Sequence, residues 1–191
     1  HKLDEDVARV RAVREAIGPE ISLRVDLNQR LTAPQAIRLG RALEQFNLAW
    51  LEEPVRYHDH AAEAAVAAAL DMPVASGESE FTHRGMLQML QQRCADILMP
   101  DLQRMGGPTG YLKAAHLAEA FDTPVSSHLF HEMNLALLAA VPNAIVLEYA
   151  PWFEAIYCER LELNTEGHAV VPDSPGWGFS FDPAGVKRYR A

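Results

Sequence analysis

ISLRVDLN, at residues 21–28, is the first of three short apolar runs that carry a carboxylate at matching positions. LAWLEEP (48–54) and PVASGES (73–79) are the other two. The acids of the three runs are Asp26, Glu52 and Glu78, which are spaced at intervals of 26 residues. An interval of this length fits one strand, one helix and their loops. We therefore expect the three acids side by side on adjacent parallel strands of a β/α barrel.

Three carboxylates in one cavity repel one another. Each pair about 4 Å apart costs roughly 4 kcal/mol at an effective dielectric constant of about 20. Such a cluster is expected to shift its pKa values or to hold a cation. A set of ligands that are all oxygen favours Mg²⁺ or a similar hard ion.

Strand-like runs alternate with helix-like stretches along most of the chain. The remaining runs are ADILMPD (95–101), PVSSHLF (124–130) and AIVLEYA (144–150). The alternation predicts an α/β fold with a parallel sheet covered on both faces, in six βα units of a TIM-type barrel. A complete barrel takes about 250 residues. Because this chain has 191, we expect an incomplete barrel whose missing strands precede residue 1.

Two parts are predicted along the chain. Residues 1–150 are expected to form the C-terminal part of a barrel catalytic domain, with Gly18 ending the first helix and Thr32 starting the second. Residues 151–191 are rich in Gly, Pro and aromatic residues. This segment is predicted to be a tail that packs outside the barrel.

Composition limits the possible partners. The formal net charge of −9 argues against nucleic acid or an anionic membrane, because both repel an acidic surface. Cys94 and Cys158 form no CxxC motif, which favours a reduced, cytoplasmic setting. No apolar run approaches the roughly 18 residues of a membrane span. The charged start HKLDEDVARV is unlike a signal peptide, and we expect the chain to be part of a longer protein.

A polar residue stands near the end of every predicted strand, where the active sites of β/α barrels lie. The set is Asp26, Asn28, Glu52, Glu78, Asp101, His128 and Glu148. Alternation turns Glu52 and Glu53 opposite ways, and the 26-residue interval selects Glu52. Glu53 is then expected to be a structural acid in a salt bridge. Each residue alone could be a loop cap or a core side chain, so the prediction depends on their joint occurrence.

Six motifs in order resemble the mandelate racemase subgroup of the enolase superfamily, over about residues 3–178. They are VDLNQ, WLEEP, SGES, MPDLQRMGG, SSHLFHE and LEY. The resemblance implies that Asp26, Glu52 and Glu78 bind Mg²⁺, and that the ion holds the substrate carboxylate and stabilises an enediolate intermediate.

The same resemblance implies roles for four other residues. Asp101 and His128 would form a dyad with His128 as general base or acid, and Glu148 would donate a hydrogen bond to the enediolate. Asn28 would help to orient the substrate. A Lys-x-Lys motif supplies the second acid/base in the family. That motif and the substrate-capping domain are expected before residue 1.

Two classes of function remain open from the sequence. The first is Mg²⁺-dependent abstraction of the α-proton of a 2-hydroxycarboxylate. An acid-sugar dehydratase is favoured because one histidine, His128, can serve that elimination, and a racemase of a 2-hydroxy acid such as mandelate is the close alternative. The second class is a non-catalytic fragment or assembly piece, since an arc of six strands would expose two unpaired edges. The expected partner is a small carboxylate, and the family resemblance implies a homo-oligomer.

Three other residues near the motifs are not expected to take part in the chemistry. His131 and Glu132 follow His128 at helical spacing and are expected to begin the next helix rather than to bind a second metal ion. Arg104 is expected to be an exposed side chain.

Overall fold

Six parallel strands lie side by side in chain order in the computed structural model, which describes residues 2–190. They are β1 (Leu23–Asp26), β2 (Leu48–Glu52), β3 (Val74–Ser76), β4 (Ile97–Leu98), β5 (Val125–Ser126) and β6 (Ala144–Val146). Every neighbouring pair is parallel. The predicted incomplete barrel of the α/β class is therefore confirmed.

A helix connects each strand to the next. The helices are α1 (Leu3–Ile17), α2 (Ala33–Leu43), α3 (His60–Ala69), α4 (Thr82–Gln92), α5 (Pro108–Ala120), α6 (His131–Ala139) and α7 (Pro183–Tyr189). Of these, α1 precedes the sheet and α7 follows it. Short 3₁₀ turns occur at Glu44–Phe46 and Glu154–Ile156. No helix within residues 2–190 combines the length and apolarity needed to cross a membrane.

Both predicted helix caps are present. Thr32 precedes α2, and its N–H and its hydroxyl both donate to Gln35 Oε1, at 3.0 and 2.9 Å. Gly18 follows α1 with a φ of 75°, and its N–H donates to the carbonyl of Arg14 at 3.0 Å. These contacts satisfy backbone and side-chain groups at the helix ends that would otherwise need water.

The strands are shorter than the apolar runs that predicted them. PVSSHLF (124–130) gives only Val125–Ser126 to the sheet. Leu129 and Phe130, in the same run, have φ values of 47° and 42°, which turn the chain out of the extended conformation. Glu78, Asp101, His128 and Glu148 therefore stand beyond the ends of their strands, whereas Asp26 and Glu52 are the last residues of β1 and β2.

The core has an outer and an inner part, because successive residues of a strand face opposite sides of the sheet. On β3, Val74 packs outward among side chains of α2 and α3. Ala75 lies inside the barrel with Trp50, Ile97 and Met99. A second outer cluster, beneath α4, α5 and α6, is centred on Tyr111. The alternation along each strand therefore sets which residues face the barrel interior.

The segment after β6 has little regular structure before α7. Isolated bridges pair Tyr157 with Phe181 and Leu163 with Ala169, and Trp177 packs against the cluster beneath α4, α5 and α6. Ala191 and His1 lie outside the described residues. The division into a barrel part and a tail at residue 150 stays a prediction.

Glu63 is a fully buried acid between α3 and β3. Its Oε1 accepts a hydrogen bond from Ser76 Oγ at 2.5 Å, and its Oε2 has no hydrogen-bond partner among the described residues. Burial raises the pKa of this carboxyl to about 8, with the charges of Glu53, Glu80 and Asp59 adding to the shift and the Ser76 hydroxyl opposing it. This shift favours the protonated form of Glu63 in the folded protein at neutral pH.

A pH-dependent loss of stability follows from Glu63. Between its ordinary pKa and about 8 the unfolded chain ionises this group while the folded protein keeps it neutral. The stabilisation is complete below the ordinary pKa and is lost as the pH rises to 8, at up to about 1.4 kcal/mol per pH unit. We expect the E63Q variant, whose amide does not titrate, to gain stability relative to wild type across this window.

Urea denaturation of the protein at its full natural length, without metal, measures this difference at pH 5, 6, 7 and 8. E119Q, on the exposed side of α5, is the matched control. A difference between E63Q and wild type that stays constant across these pH values would show that Glu63 is ionised in the folded protein.

Candidate active site

The predicted site residues gather at the C-terminal edge of the sheet. β1 ends at Asp26 and β2 at Glu52, and these two residues are register partners in the parallel ladder. Glu78, His128 and Glu148 each stand two residues beyond a strand. Asp101 and His128 form an isolated parallel bridge of their own. Residues from all six strand ends therefore share one edge.

Asp26 and Asn28 form a tight local pair. Asp26 Oδ1 accepts a hydrogen bond from the Asn28 N–H at 2.7 Å, and its Oδ2 accepts one from the Asn28 side-chain amide. Both residues are exposed, and Asn28 has a φ of 46°. The local turn thus points the amide at the carboxylate rather than away from the site.

Glu52 and Glu78 carry the electrostatic cost of the cluster. Burial raises the pKa of each to about 7. The charge of Asp26 adds to both shifts, while the Trp50 indole, which donates to Glu52 Oε2 at 2.8 Å, and His128, beside Glu78, oppose them. Such shifts are expected for carboxylates that lie together in a partly buried site.

Glu53 differs from its sequence-based prediction. Its side chain is 2% exposed, and its Oε2 accepts a hydrogen bond from Gln29 Nε2 at 2.7 Å. The expected salt bridge is wrong, because the partner is a neutral amide. Burial raises the pKa of Glu53, and the nearby Asp26 charge adds to the rise.

Asp101 and His128 form the predicted dyad contact. His128 Nδ1 lies 2.7 Å from Asp101 Oδ2, and Asp101 Oδ1 accepts the N–H groups of Gln103 and Arg104, both at 2.8 Å. Burial would raise the pKa of Asp101, but the hydrogen bonds from His128 and the Arg104 N–H, together with the charges of these two residues, outweigh it and lower the pKa. Burial would lower the pKa of His128, but Asp101 and Glu78 outweigh it and raise the pKa.

His128 has one nitrogen directed at each acid. Nδ1 faces Asp101, and Nε2 lies 3.5 Å from Glu78 Oε1. With an N–H on Nδ1 donating to Asp101, Nε2 has its lone pair available toward the carboxylate-lined edge. The imidazole is thus oriented so that Nε2 can accept or donate a proton there.

Glu148 follows β6, the last strand of the sheet, at the same edge. Its Oε2 accepts the N–H of Leu129 at 2.5 Å, and its own N–H donates to Ser127 Oγ at 2.7 Å. Glu148 and Glu52 both line a cavity of about 240 Å³ inside the barrel, together with Trp50 and other side chains. The carboxyl is therefore fixed at the wall of a space next to the acids.

The loop after β5 is held by a residue that the sequence analysis did not single out. The buried Asn134, on α6, donates through Nδ2 to the carbonyls of His128 (3.1 Å) and Leu129 (2.7 Å). The pair of left-handed residues Leu129 and Phe130 costs on the order of 1–3 kcal/mol each, and Asn134 anchors the turn that contains them. No local sequence pattern signals this contact.

Arg104, His131 and Glu132 lie near the dyad. Arg104 is half-buried and donates through Nη1 to the Glu78 carbonyl at 2.5 Å, so the prediction of a simply exposed arginine is wrong. His131 is the first residue of α6, as predicted. His131 and Glu132 are both buried.

The three predicted metal ligands share an edge without closing around one point. Within residues 2–190, no three His, Cys, Asp or Glu side chains converge closely enough to hold an ion. Asp26 faces Asn28, Glu52 faces Trp50 and Glu78 faces His128. The donor set nevertheless fits Mg²⁺, because it is all oxygen and because a cation would offset the burial and repulsion that raise the pKa values of Glu52 and Glu78.

A family model described as enolase C-terminal domain-like matches residues 1–185. The chain belongs to this family. The resemblance found from the six sequence motifs is therefore confirmed, and enolase-family relatives extend over almost all of the chain.

Curated relatives in the enolase family include sugar-acid enzymes. The chain is 40% identical over 176 residues to L-talarate/galactarate dehydratase of Salmonella typhimurium, covering 92% of this chain and 44% of that protein. It is 32% identical over 197 residues to D-xylonate dehydratase of Haloferax volcanii, covering 98% and 48%. The chain thus spans about half the length of these relatives.

Solved enolase-family structures share the fold closely. An enolase from Bradyrhizobium, complexed with magnesium and mandelic acid, has a TM-score of 0.95 at 33% identity over 100% of this chain and 52% of that one. L-Talarate dehydratase from Polaromonas, complexed with Mg and L-glucarate, has a TM-score of 0.94 at 38% identity over 98% and 52%. Both neighbours therefore contain the metal that the acid cluster predicts for this chain.

Proposed function

We propose that this chain forms part of a Mg²⁺-dependent acid-sugar dehydratase. Such an enzyme removes the α-proton of a 2-hydroxycarboxylate and then expels the 3-hydroxyl group. The observation that carries the proposal is the Asp101–His128 contact at 2.7 Å on the edge that also holds three carboxylates. The 40% sequence identity to L-talarate/galactarate dehydratase over 176 residues supports the choice of sugar acids as substrates.

The proposed metal ligands are Asp26, Glu52 and Glu78. When bound, Mg²⁺ would neutralise negative charge that develops on the substrate carboxylate, which lowers the barrier to removing a weakly acidic proton. The protein's own contribution is to keep these carboxylates at the C-terminal ends of three adjacent strands, on one edge of the sheet. Asn28, beside Asp26, is placed to orient the substrate.

His128 is the proposed acid/base. Asp101 accepts from Nδ1, fixes the tautomer and stabilises the imidazolium that forms when Nε2 takes the α-proton. The same nitrogen can then return a proton to the departing 3-hydroxyl, so one histidine serves both halves of the elimination. Glu148, held by the Leu129 N–H, is the proposed hydrogen-bond partner of the enediolate.

A product assay tests this function. The protein at its full natural length would be incubated with Mg²⁺ and a panel of galactarate, L-talarate, D-xylonate and D-arabinonate, and NMR would detect a 2-keto-3-deoxy product. We expect turnover of at least one member and its loss when EDTA removes the metal. A protein that binds Mg²⁺ but forms no such product from any of them would contradict the dehydratase proposal.

Racemisation of a 2-hydroxy acid is the second candidate. The observation that supports this candidate is the fold shared with the Bradyrhizobium enolase, whose structure was solved with magnesium and mandelic acid. Racemisation needs a base on each face of the substrate, and His128 supplies one. Conversion of (R)-mandelate to the (S) form without a keto product would select this alternative.

A further inference from the structure

Gln29 links the loops that follow the first three strands. Its side-chain Nε2 donates to Glu53 Oε2 at 2.7 Å and to Ser79 Oγ at 2.8 Å. Its Oε1 accepts the N–H of Tyr57 at 3.2 Å, and its backbone N–H donates to the Glu53 carbonyl at 2.8 Å. One half-buried amide thus uses both of its donor hydrogens and its acceptor on neighbouring loops.

These contacts fall beside each of the proposed metal ligands. Glu53 and Ser79 directly follow the second and third ligands in the sequence. Gln29 itself stands three residues beyond the first ligand, Asp26. Asp26 and Glu52 end paired strands, whereas Glu78 lies on the loop after β3. A displacement of that loop relative to the other two would therefore change the distance of Glu78 from the other carboxylates.

The backbone next to the ligands is also strained. Asn28, Gln29 and Glu53 have φ values of 46°, 61° and 36°. Non-glycine residues in this region each cost on the order of 1–3 kcal/mol, and they persist where surrounding contacts hold them. The hydrogen bonds of Gln29 join two of the three strained residues directly, at the backbone and at the side chain of Glu53.

We propose that Gln29 is a positioning residue. It ties together the loops that follow β1, β2 and β3 and so holds the ligands at the ends of these strands at the spacing that a divalent cation needs. This inference rests on the proposed Mg²⁺ function. Gln29 does not touch the ion in this arrangement, because both ends of its amide are already engaged. Its effect on metal affinity is exerted through Glu53 and Ser79, whose positions it fixes.

Titration calorimetry with Mg²⁺ tests this role without needing a substrate. Residues that orient metal ligands typically contribute 10–100-fold to affinity, so we expect Q29A to weaken Mg²⁺ binding by about 10–100-fold. S79A removes the Ser79 contacts with Gln29 and Glu53 but leaves the Gln29–Glu53 hydrogen bond, and it is expected to weaken binding less. Q35A is the matched control, because it removes an amide whose Oε1 accepts two hydrogen bonds at the start of α2, away from the Gln29 contacts.

Amide hydrogen exchange in the metal-free protein gives an independent measurement. Q29A should speed exchange at Tyr57, whose N–H loses its acceptor, whereas Q35A should speed exchange at Thr32 and leave Tyr57 unchanged. A general loss of stability would speed exchange at both positions. The pattern therefore distinguishes local release of the loops from partial unfolding.

The outcomes separate this inference from the proposed function. Wild-type protein that binds no Mg²⁺ would contradict the function, and the exchange at Tyr57 would then decide whether Gln29 holds the loops. Wild-type binding that Q29A weakens no more than Q35A would overturn the positioning role alone. Should Q29A fail to fold, S79A decides: weakened affinity supports the role and unchanged affinity overturns it.

Discussion

Replacing His128 with asparagine (H128N) is expected to lower turnover by about 10²–10⁴-fold, the usual contribution of a general acid/base. Asparagine can keep a hydrogen bond to Asp101 but cannot take a proton from carbon. Because His128 is not a proposed metal ligand, Mg²⁺ affinity should be retained. Steady-state kinetics on the best sugar acid and Mg²⁺ calorimetry measure the two quantities on the same variant.

H116N is the control for this experiment. His116 is an exposed histidine on α5, away from the C-terminal edge of the sheet. We expect it to match wild type in both measurements. Loss of Mg²⁺ binding in H128N, or retention of full α-proton exchange, would show that His128 does not have the proposed role.

The second large effect is expected for E78Q. The amide removes a negatively charged oxygen donor from the ligand set. Residues that only orient a ligand typically contribute 10–100-fold to metal affinity, so the loss of a ligand should lower the affinity by about 100-fold or more. Turnover should fall together with metal occupancy and recover in part at high Mg²⁺. Activity measured as a function of Mg²⁺ concentration gives both values.

E119Q is the matched control for E78Q, since it makes the same chemical change at an exposed position on α5. Unchanged metal affinity in E78Q would remove Glu78 from the ligand set. A loss of turnover that high Mg²⁺ does not restore at all, with normal affinity, would instead assign Glu78 to the chemistry.

Much of the fold could be predicted because it depends on periodic patterns. Apolar runs at intervals that fit a strand and a helix specify parallel strands. In such a sheet all C-terminal ends share one edge, and Asp26 and Glu52, at the ends of neighbouring strands, are register partners there. The contact between Asp101 and His128 was predicted from motifs, and its geometry follows from the adjacent positions of β4 and β5.

The supporting contacts could not be predicted, because they join residues that are distant in the sequence. Gln29 and Ser79 are separated by 50 positions, and nothing in either local sequence indicates the other. Alternation predicts that Glu52 and Glu53 face opposite sides, but it could not show that a left-handed turn at Glu53 would bury the carboxylate against an amide. The burial of Glu63 in an alanine-rich helix could not be predicted for the same reason, because its hydrogen-bond partner Ser76 is on a different element.

Exchange of the substrate α-proton is the most direct test of the proposed chemistry. The protein at its full natural length, with Mg²⁺, would be incubated in D₂O with galactarate, L-talarate and mandelate, and ¹H NMR would follow the α-position. We predict deuterium at the α-carbon, or a 2-keto-3-deoxy product, for wild type, and formation of either at a rate about 10²–10⁴-fold lower for H128N. A folded, Mg²⁺-bound wild-type protein that exchanges no α-proton of any of these acids would contradict the proposal.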